Sequence, residues 1–424
     1  MIPIDIIRSK PDVVEASLRK RGDEAKIRQL HDLIKKDVEW RSLLSRLESL
    51  RNRRNILTEK IDETRRSGGE FKRLIDEAKG ISNEIKEGEV KLQELRNELD
   101  VALLKLPNIL HESVPEGKSE EDNVEVRRWG EAKPALGLKH HGEFATRLGL
   151  ADFERAVKIS GAGFYLLKGQ LALMDLALMR LAIDYLNDRG YVLIEPPFLM
   201  RRKPYEGVTD MADFESVMYK VDGEDLYLIA TSEHPIAAMH MNEIFEEKEL
   251  PLKYCGFSAC FRREIGKHGL DERGLFRVHQ FNKIEQFIFS RPEDSWSFHE
   301  ELINNAEEVT KKLGIPYRVV NVCTGDIGTV AAKKYDLEGW SSREGKYIEL
   351  MSCSNCTSYQ SSRLNIKFSS KGKKEYVHTL NSTEIATARM LRLILENYQK
   401  GDVLEVPKAL RPYMNGVEEI RARE

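Results

Sequence analysis

The sequence lacks several features, and each absence narrows what the protein can be. Among its 424 residues there is no run of about 18 apolar residues, so nothing predicts a membrane-spanning helix. Five cysteines, an odd number without the short spacings of secreted disulfide-rich domains, indicate reduced thiols. The N-terminal segment contains Asp5 and no long apolar core, so it does not resemble a signal peptide. We therefore expect a cytoplasmic protein that does not associate with membranes.

Two common nucleotide-binding signatures are also missing. The sequence contains neither GxxxxGK[ST], the phosphate loop of many ATPases, nor GxGxxG after a predicted strand. With 67 Lys and Arg against 70 Asp and Glu, the net charge is near zero, and a nucleic-acid surface would need locally clustered charge. A chain of this length is roughly two to three times the usual domain size. We therefore expect at least two domains and, if ATP binds, another kind of ATP site.

Proline is absent from about Ile27 to Leu106, a charged stretch in which apolar residues recur at steps of three and four. This periodicity predicts two amphipathic helices of roughly 54 Å each, and the glycines within Arg65–Glu70 predict a turn between them. Gly88 is a weak point of the second helix. The segment Arg41–Ile75 holds ten Lys or Arg against five acids. A basic projecting arm suits a phosphate backbone, although the charges could equally be solvated outer positions of a coiled coil.

Pro107 ends this helical region, and the polar stretch His111–Asn123 predicts a linker. The sequence thus divides into residues 1–110, which carry the coiled-coil arm, and residues 111–424. In the second part, strand-like and helical segments follow one another irregularly, unlike the regular alternation of a parallel sheet. We predict an α+β fold, in which an antiparallel β-sheet flanked by helices is preceded by a long antiparallel α-helical hairpin.

The segment Phe261–Glu285, FRREIGKHGLDERGLFRVHQFNKIE, is the most informative part of the second domain. Two strand-like stretches, Cys255–Arg262 and Arg277–Phe289, flank the polar stretch Gly266–Gly274. This arrangement predicts a strand, a long loop and a second strand.

An aromatic residue and a carboxylate fall on one face of the second strand. Phe281 and Glu285 are four residues, or roughly 13 Å, apart along it, a span that fits an aminoacyl adenylate. Arg262 and Arg277 supply cations where a triphosphate would lie. Taken singly, Phe281 could be ordinary core and the arginines could pair with nearby acids. The combination, in this order and spacing, favours a binding site.

These residues resemble motif 2 of class II aminoacyl-tRNA synthetases, and specifically of the seryl-tRNA synthetase family. Gly190–Pro197 is similar to motif 1, whose proline lies at the family's dimer interface, and Asn381–Arg389 is similar to motif 3. The resemblance covers essentially the whole chain. The other matching segments are Leu148–Gly161, Phe164–Gly169, Thr231–Pro235 and Ile348–Asn355.

The resemblance implies a set of ATP-binding residues. Arg262 would hold the α-phosphate and the amino acid carboxylate, Phe281 would stack on the adenine, and Arg389 would cover its other face. Arg389 also falls among apolar residues of a predicted helix starting near Thr383, an unusual place for a solvated arginine. The catalytic residues would be Arg262, Glu285 and Arg389. The full ATP-binding set is Arg262, Arg263, Glu264, Arg277, Val278, Phe281, Glu349, Leu350, Met351, Ser352 and Arg389.

The resemblance also implies a metal site and an amino acid site. Glu349 and Ser352 would bind the Mg²⁺ that bridges the ATP phosphates, although Glu349 alone could be a surface acid. Glu285 would bind the ammonium of L-serine, and Glu233 or Thr383 its hydroxyl. Around Glu233 the sequence also has the pattern of a helix start, and both interpretations can hold together. The serine-binding set is Thr231, Ser232, Glu233, Arg262, Glu285 and Thr383.

Three features depart from the family pattern or stand apart from it. Asn381-Ser382-Thr383 lacks the glycine that bacterial members commonly have there, and Leu270 stands where many members carry Arg or Lys. Cys353-x-x-Cys356 invites a zinc site, but one such pair with distant cysteines is weak support, and buried free thiols are favoured.

The resemblance implies a homodimer that makes seryl-adenylate from L-serine and ATP with Mg²⁺. It would transfer serine to tRNA(Ser), and to tRNA(Sec) where that tRNA exists, gripping the tRNA with the coiled-coil arm. An amino acid:carrier-protein ligase is the first alternative, but related proteins of that kind lack the hairpin. A non-catalytic paralogue is the second, but it should have lost some of Arg262, Glu285, Glu349 and Arg389, and all four are present.

Overall fold

The computed structural model describes residues 1–211, 215–263 and 274–422 of the chain. The chain forms two compact units, Met1–Ile109 and Leu110–Glu424. In the first unit, short helices precede two long ones. These elements are α1 (Ile4–Ser9), α2 (Pro11–Lys20), α3 (Glu24–Arg66) and α4 (Lys72–Leu104).

Helices α3 and α4 form the predicted hairpin. The side chain of Asp23 accepts a hydrogen bond from the Lys26 amide (3.0 Å), which caps the start of α3. With 43 and 33 residues, the helices are roughly 65 Å and 50 Å long at 1.5 Å per residue. Exposed ion pairs join them in antiparallel order, and each adds little stability on its own. The pairs are Lys36–Glu98, Glu39–Lys91, Arg46–Glu84, Arg51–Glu89 and Arg53–Glu77.

Gly88 has a packing role between the two helices. A Cβ atom at this position would lie 2.5 Å from Cδ2 of Leu47, so the glycine lets Leu47 approach the α4 backbone closely. The residue predicted to weaken α4 is therefore also the one that brings the helices together here. Its low helix propensity is offset locally by contact with a buried leucine.

The base of the hairpin has its own core. Asp37 is buried, and its carboxylate accepts hydrogen bonds from Arg8 (2.7 Å) and Arg41 (2.9 Å), so it is paired rather than isolated. Residues from all four helices and the segment after α4 pack together here. The buried apolar members are Ile2, Ile7, Val14, Leu18, Ile27, Leu30, Leu33, Leu99, Leu103 and Leu106.

The second unit is built on a large β-sheet with helices on both faces. Its helices are α5 (His141–Arg147), α6 (Phe153–Ser160), α7 (Gln170–Asn187), α8 (Arg202–Val208), α9 (Glu233–Ala238), α10 (Ser295–Lys312), α11 (Tyr359–Leu364) and α12 (Thr387–Asn397). Its strands are β1 (Val124–Trp129), β2 (Val192–Ile194), β3 (Leu199–Met200), β4 (Tyr227–Leu228), β5 (Ile244–Glu246), β6 (Leu252–Phe261), β7 (Gln280–Ser290), β8 (Tyr317–Asn321), β9 (Lys333–Ser341), β10 (Lys346–Thr357), β11 (Lys367–Ser370), β12 (Lys373–Tyr376), β13 (His378–Ala386), β14 (Gln399–Lys400), β15 (Val403–Glu405) and β16 (Glu419–Arg421).

Within the described residues, the main sheet has the order β1-β8-β9-β10-β13-β7-β6-β2. Its strand pairs are antiparallel except β2 with β6, which is parallel. The predicted fold class, an antiparallel sheet flanked by helices and preceded by a helical hairpin, is confirmed. Helices α7, α10 and α12 cover one face over the largest core.

Strand β7 is buried on both faces, which fixes where a site can form. Ile284 and Ile288 belong to the core under α7, α10 and α12, whereas Phe287 and Phe289 belong to a second core on the opposite face. That second face continues along β7 to Lys283 and Glu285, where apolar packing gives way to charge. None of the described helices is long and apolar enough to cross a membrane.

One predicted boundary was wrong. The helix expected to start near Thr383 begins at Thr387, and Thr383 lies on β13, opposite Glu285 of β7. The pairing of β13 with β7 continues to Ala386 and satisfies the backbone amides that a helix would otherwise use.

Candidate active site

A cavity of about 120 Å³ lies on the second face of the sheet, where β6, β7, β10, β13, α9 and α12 converge. Apolar side chains form its walls, and charged side chains project into it from several elements, the combination expected of a ligand site. The lining residues are Glu233, Arg262, Phe276, Val278, Phe281, Lys283, Glu285, Glu349, Leu350, Met351, Ser352, Asn381, Thr383, Ala386, Ala388 and Arg389.

One end of the cavity is formed by polar groups that are almost completely buried. Lys283 and Glu285 form an ion pair, and their side chains are only 6% and 2% exposed. The hydroxyl of Thr383, on the neighbouring strand, donates to Oε2 of Glu285 (3.3 Å). These contacts keep the Glu285 carboxylate paired, so it is not an isolated buried charge. Because it also faces the cavity, it can bind an ammonium group.

A second carboxylate stands near this end. Glu233 projects from the start of α9 and accepts a hydrogen bond from the side-chain amide of Gln360 (2.9 Å). Burial and the charge of Glu285 raise the pKa of Glu233 to about 7, against the pull of Lys283. A carboxyl group with a pKa this high changes its hydrogen-bonding state within the physiological pH range.

The other end combines cations with an aromatic ring. Cζ of Arg262 lies 5.5 Å from the ring centroid of Phe281, and its Nε donates to the carbonyl of Ala230 (3.2 Å). Arg389 projects from the first turns of α12 and contacts Glu349 of β10, with 3.1 Å between Nη1 and Oε1. Phe281, Arg262 and Arg389 thus supply an aromatic face and two guanidinium groups, which suit a purine and its phosphates.

Hard oxygen donors lie beside this end. Glu349 and Ser352 are on β10, and Asp336 lies directly across from Ser352 on β9. Oδ1 of Asp336 is buried without a hydrogen-bond partner among the described residues. No group of three or more His, Cys, Asp or Glu residues in the described chain could hold a metal ion by itself. The donors fit Mg²⁺, which typically takes one or two protein carboxylates and completes its shell with phosphates and water.

Comparison with known proteins shows what this fold and cavity belong to. A family model described as the seryl-tRNA synthetase N-terminal domain matches residues 1–110, and one described as the tRNA synthetase class II core domain (G, H, P, S and T) matches residues 217–398. The serine--tRNA ligase of Methanocella arvoryzae is 57% identical over 424 residues, covering 99% of this chain and 100% of that protein. The chain belongs to the seryl-tRNA synthetase family.

Solved structures give the same result. The seryl-tRNA synthetase of Pyrococcus horikoshii, determined in complex with ATP, has a TM-score of 0.96 and 46% identity over all of both chains. The cytoplasmic serine-tRNA ligase of Naegleria fowleri, in complex with AMP, has a TM-score of 0.89 and 38% identity over 99% of this chain and 97% of that one.

Most of the site residues named from the family resemblance line the cavity, but some do not. Thr231 and Ser232 are buried behind it, where the Thr231 hydroxyl accepts from the Glu233 amide (3.1 Å) and the Ser232 hydroxyl donates to the Gly256 carbonyl (3.2 Å). Arg263 and Arg277 are exposed and outside the lining, and the Arg263 guanidinium lies over Tyr219. Glu264 and Leu270 lie outside the described residues.

Lys283 was missed in the sequence, although a signal was present. Alternation along β7 places it on the same face as Phe281 and Glu285, so the argument that paired those two applies to it as well. Phe276 was also missed. It lines the cavity and lies against the guanidinium of Arg392, which no local pattern indicates.

The cysteines do not form a metal site among the described residues. All five are buried free thiols. Sγ of Cys356 accepts from the side-chain amide of Asn381 (3.5 Å), and burial raises the pKa of Cys353 well above its usual value. Thiols held neutral in this way are poor metal ligands and poor nucleophiles.

Proposed function

We propose that the protein is a serine--tRNA ligase that activates L-serine with ATP and transfers the seryl group to tRNA(Ser), and to tRNA(Sec) where that tRNA exists. The observation that carries the proposal is the cavity itself. It has a buried Lys283–Glu285 pair with Thr383 and Glu233 at one end, and Phe281 with Arg389 at the other. Arg262 lines the same cavity.

In the first reaction, the serine carboxylate attacks the α-phosphorus of ATP, diphosphate leaves and seryl-adenylate forms. Arg262 neutralises the carboxylate and the α-phosphate so that they can approach each other, and Phe281 and Arg389 hold the adenine between them. Glu285 binds the serine ammonium. No covalent enzyme intermediate is needed, and catalysis is mainly positioning and charge neutralisation.

Glu233 and Thr383 select serine by its hydroxyl group. A site whose buried polar groups need that hydroxyl rejects alanine, because these groups would be left without a partner. The ion pair with Lys283 fixes the orientation of the Glu285 carboxylate. One ligand must therefore place its ammonium at Glu285 and its hydroxyl at Glu233 and Thr383 at the same time.

Glu349 and Ser352 would hold Mg²⁺, with Asp336 facing Ser352 from the adjacent strand. When bound, the ion supplies charge neutralisation of the ATP phosphates. Arg389, which contacts Glu349, keeps that carboxylate ionised and ready to act as a ligand: the charges of Arg389 and Lys334 outweigh burial and lower the pKa of Glu349.

In the second reaction, a terminal hydroxyl of the tRNA attacks the carbonyl of the adenylate, and AMP leaves. The coiled-coil arm, α3 with α4, binds the tRNA through its phosphates. Its distal end carries Arg65 and Arg66, which are exposed and form no ion pair within the described residues. Free cations at the end of a long arm support contact with a nucleic-acid backbone.

The protein acts as a cytoplasmic homodimer in this proposal. Support for a dimer comes from large apolar side chains exposed in and near the segment that resembles motif 1. Leu176, Val192 and Leu193 are 58%, 58% and 48% exposed. A group of exposed large apolar side chains is typical of a protein–protein interface.

Amino-acid-dependent exchange between ATP and pyrophosphate tests the activation step. We expect serine to support exchange and alanine and threonine to be poor substrates. Exchange with a different amino acid would overturn the specificity, and no exchange with any standard amino acid would favour a non-catalytic paralogue. Charging of tRNA(Ser) by the same preparation, set against a carrier protein as acceptor, distinguishes a synthetase from a carrier-protein ligase.

A further inference from the structure

A buried histidine outside the cavity lining connects the segment 274–278 to the helix that carries Arg389. His141, the first residue of α5, has no exposed surface. The backbone amide of Leu275 donates to its Nε2 (3.1 Å), and its Nδ1 lies 2.9 Å from Oε1 of Glu396 on α12. One imidazole ring therefore connects the segment 274–278 with α12.

The hydrogen-bonding roles of the two ring nitrogens follow from the partners. Burial would raise the pKa of Glu396, but hydrogen bonds from His141 and Ser341 and the charge of Arg392 lower it to about 2. An ionised carboxylate only accepts, so Nδ1 of His141 must carry the hydrogen atom. The neutral ring then presents Nε2 as an acceptor, which is what the Leu275 amide requires.

Gly274 brings the main chain into close contact with the His141 ring. Gly274 has φ +151°, and a Cβ atom there would lie 2.1 Å from Nε2 of His141. The ring is thus pressed directly against the main chain at the start of the segment. Leu275, the next residue, has no exposed surface and belongs to the main core.

Both sides of this connection lead to the cavity. On the segment, Phe276 and Val278 line it. On α12, Arg389 lines it as well, while Arg392 lies over the Phe276 ring with 4.3 Å between Cζ and the ring centroid. Residues 389, 392 and 396 are spaced so that they share one side of the helix.

We propose that His141 is a positioning residue for ATP: it holds segment 274–278 against α12 and so fixes Phe276 and Val278 relative to Arg389. This inference rests on the proposed function, because it assigns the adenine end of the cavity to ATP. Within the described part of the chain, His141 is not among the cavity-lining residues, and it acts through Leu275 and Glu396.

Two substitutions separate the halves of the connection. His141→Asn keeps a donor near Nδ1 for Glu396 but has no atom that reaches the Leu275 amide. His141→Gln keeps an acceptor near Nε2 for Leu275 but loses the Glu396 contact. In serine-dependent exchange we expect each variant to raise KM for ATP, the Asn variant by about tenfold, with KM for serine nearly unchanged, because each loses one of the two bonds through which the ring joins the segment to α12.

The matched control is His140→Asn. His140 precedes the same helix, and its Nδ1 accepts from the Gly142 amide (3.1 Å), a capping role that asparagine can take over. Its ring lies against that of His141, with 4.0 Å between the centroids, but it makes no hydrogen bond to the segment 274–278, so the variant controls for a disturbance of this ring contact. Its KM for ATP should match the parent.

The pH dependence of KM for ATP gives an independent measurement. Among the described residues, the charged groups that face the ring are Glu396 and Arg392 from α12, Arg343 from the β9–β10 turn, and His140 from the start of its own helix. Burial lowers the pKa of His141 and Glu396 opposes this, so protonation, which removes the Nε2 acceptor, occurs below the usual histidine range near about 6.5. KM for ATP should rise there in the parent and not in the Gln variant.

Equal KM values for ATP in the parent and the Asn variant would overturn the proposal, and so would an identical acid rise in the parent and the Gln variant. If the Asn variant does not fold, the pH comparison decides alone. Failure of the proposed function is a different result, because the parent itself would then show no serine-dependent exchange.

Discussion

Arg389 and Glu349 meet at the end of the cavity that we propose for ATP. Nη1 of Arg389 lies 3.1 Å from the Glu349 carboxylate and 3.0 Å from its backbone carbonyl. The guanidinium is therefore held by β10, and its side chain is 31% exposed, so one face remains accessible. ATP bound there would share or replace these contacts, which links the arginine proposed to cover adenine with the carboxylate proposed to bind Mg²⁺.

Loss of this arginine should damage ATP binding more than protein stability. We expect Arg389→Ala to lower kcat/KM for ATP in the exchange reaction by about a hundredfold, and Arg389→Lys by nearly as much because lysine lacks the planar group that stacks on a purine. Arg421→Ala, which removes an exposed ion pair with Glu419, serves as the control. If Arg389→Lys were as active as the parent, only the positive charge at position 389 would matter.

Serine use should depend on the protonation of Glu233. Its pKa of about 7 means that the free enzyme loses the accepting carboxylate as the pH falls through that value. We expect kcat/KM for serine, measured in exchange from about pH 6 to about pH 8.5, to fall on the acid side. Glu233→Gln should be less active and lack this step, whereas the exposed Glu243→Gln should keep it. A step that persists in Glu233→Gln must come from another group.

A buried acid behind the site should limit stability. Glu384, on β13, has no exposed surface, and neither carboxylate oxygen has a hydrogen-bond partner among the described residues. Burial raises its pKa well above the usual value. The folded protein therefore keeps this group neutral, and stability falls as the pH rises from the ordinary glutamate pKa through the raised one, because the unfolded chain ionises freely.

Glu384→Met should remove that cost. We expect the free energy of unfolding to rise by about 1–3 kcal/mol and the melting temperature to rise with it. The gain should be larger at about pH 8.5 than at about pH 6. Calorimetric melting at both pH values measures it. Glu375→Met, an exposed residue of β12, should change little and serves as the control. An equal or lower melting temperature at both pH values would mean that Glu384 is satisfied in the folded protein.

The arm should be needed for charging but not for activation. Replacing residues 45–91 by a short glycine-serine turn shortens both helices and keeps Leu99 and Leu103, which belong to the core at the base. We expect unchanged exchange and loss of tRNA charging. Retention of full charging would exclude the arm from tRNA binding.

A milder change tests the charge on the arm. Arg65→Ala with Arg66→Ala should raise KM for tRNA and weaken its salt dependence, since fewer phosphates are neutralised. Lys86→Ala, an exposed change on α4, is the matched control. Equal effects of the two changes would mean that position along the arm does not matter.

Local patterns accounted for much of the fold. The steps of three and four between Ile27 and Leu106 predicted the hairpin, because a long amphipathic helix repeats its apolar face within every few residues. Alternation on β7 placed Phe281 and Glu285 on one face and could have placed Lys283 there. The helix start at Thr383 was wrong, because pairing with a strand about a hundred residues earlier outweighed the local pattern.

By itself, the sequence determined the family, the arm and the identities of most cavity residues, since these follow from short-range periodicity and ordered motifs. Only the tertiary structure decided which residues meet. The contacts of His141 with Leu275 and Glu396, and of Thr383 with Glu285, join positions 134, 255 and 98 residues apart. The isolation of Glu384 inside the core is likewise a property of its neighbours. Such long-range contacts leave no local repeat, because they arise from packing of the sheet and helices around a common core.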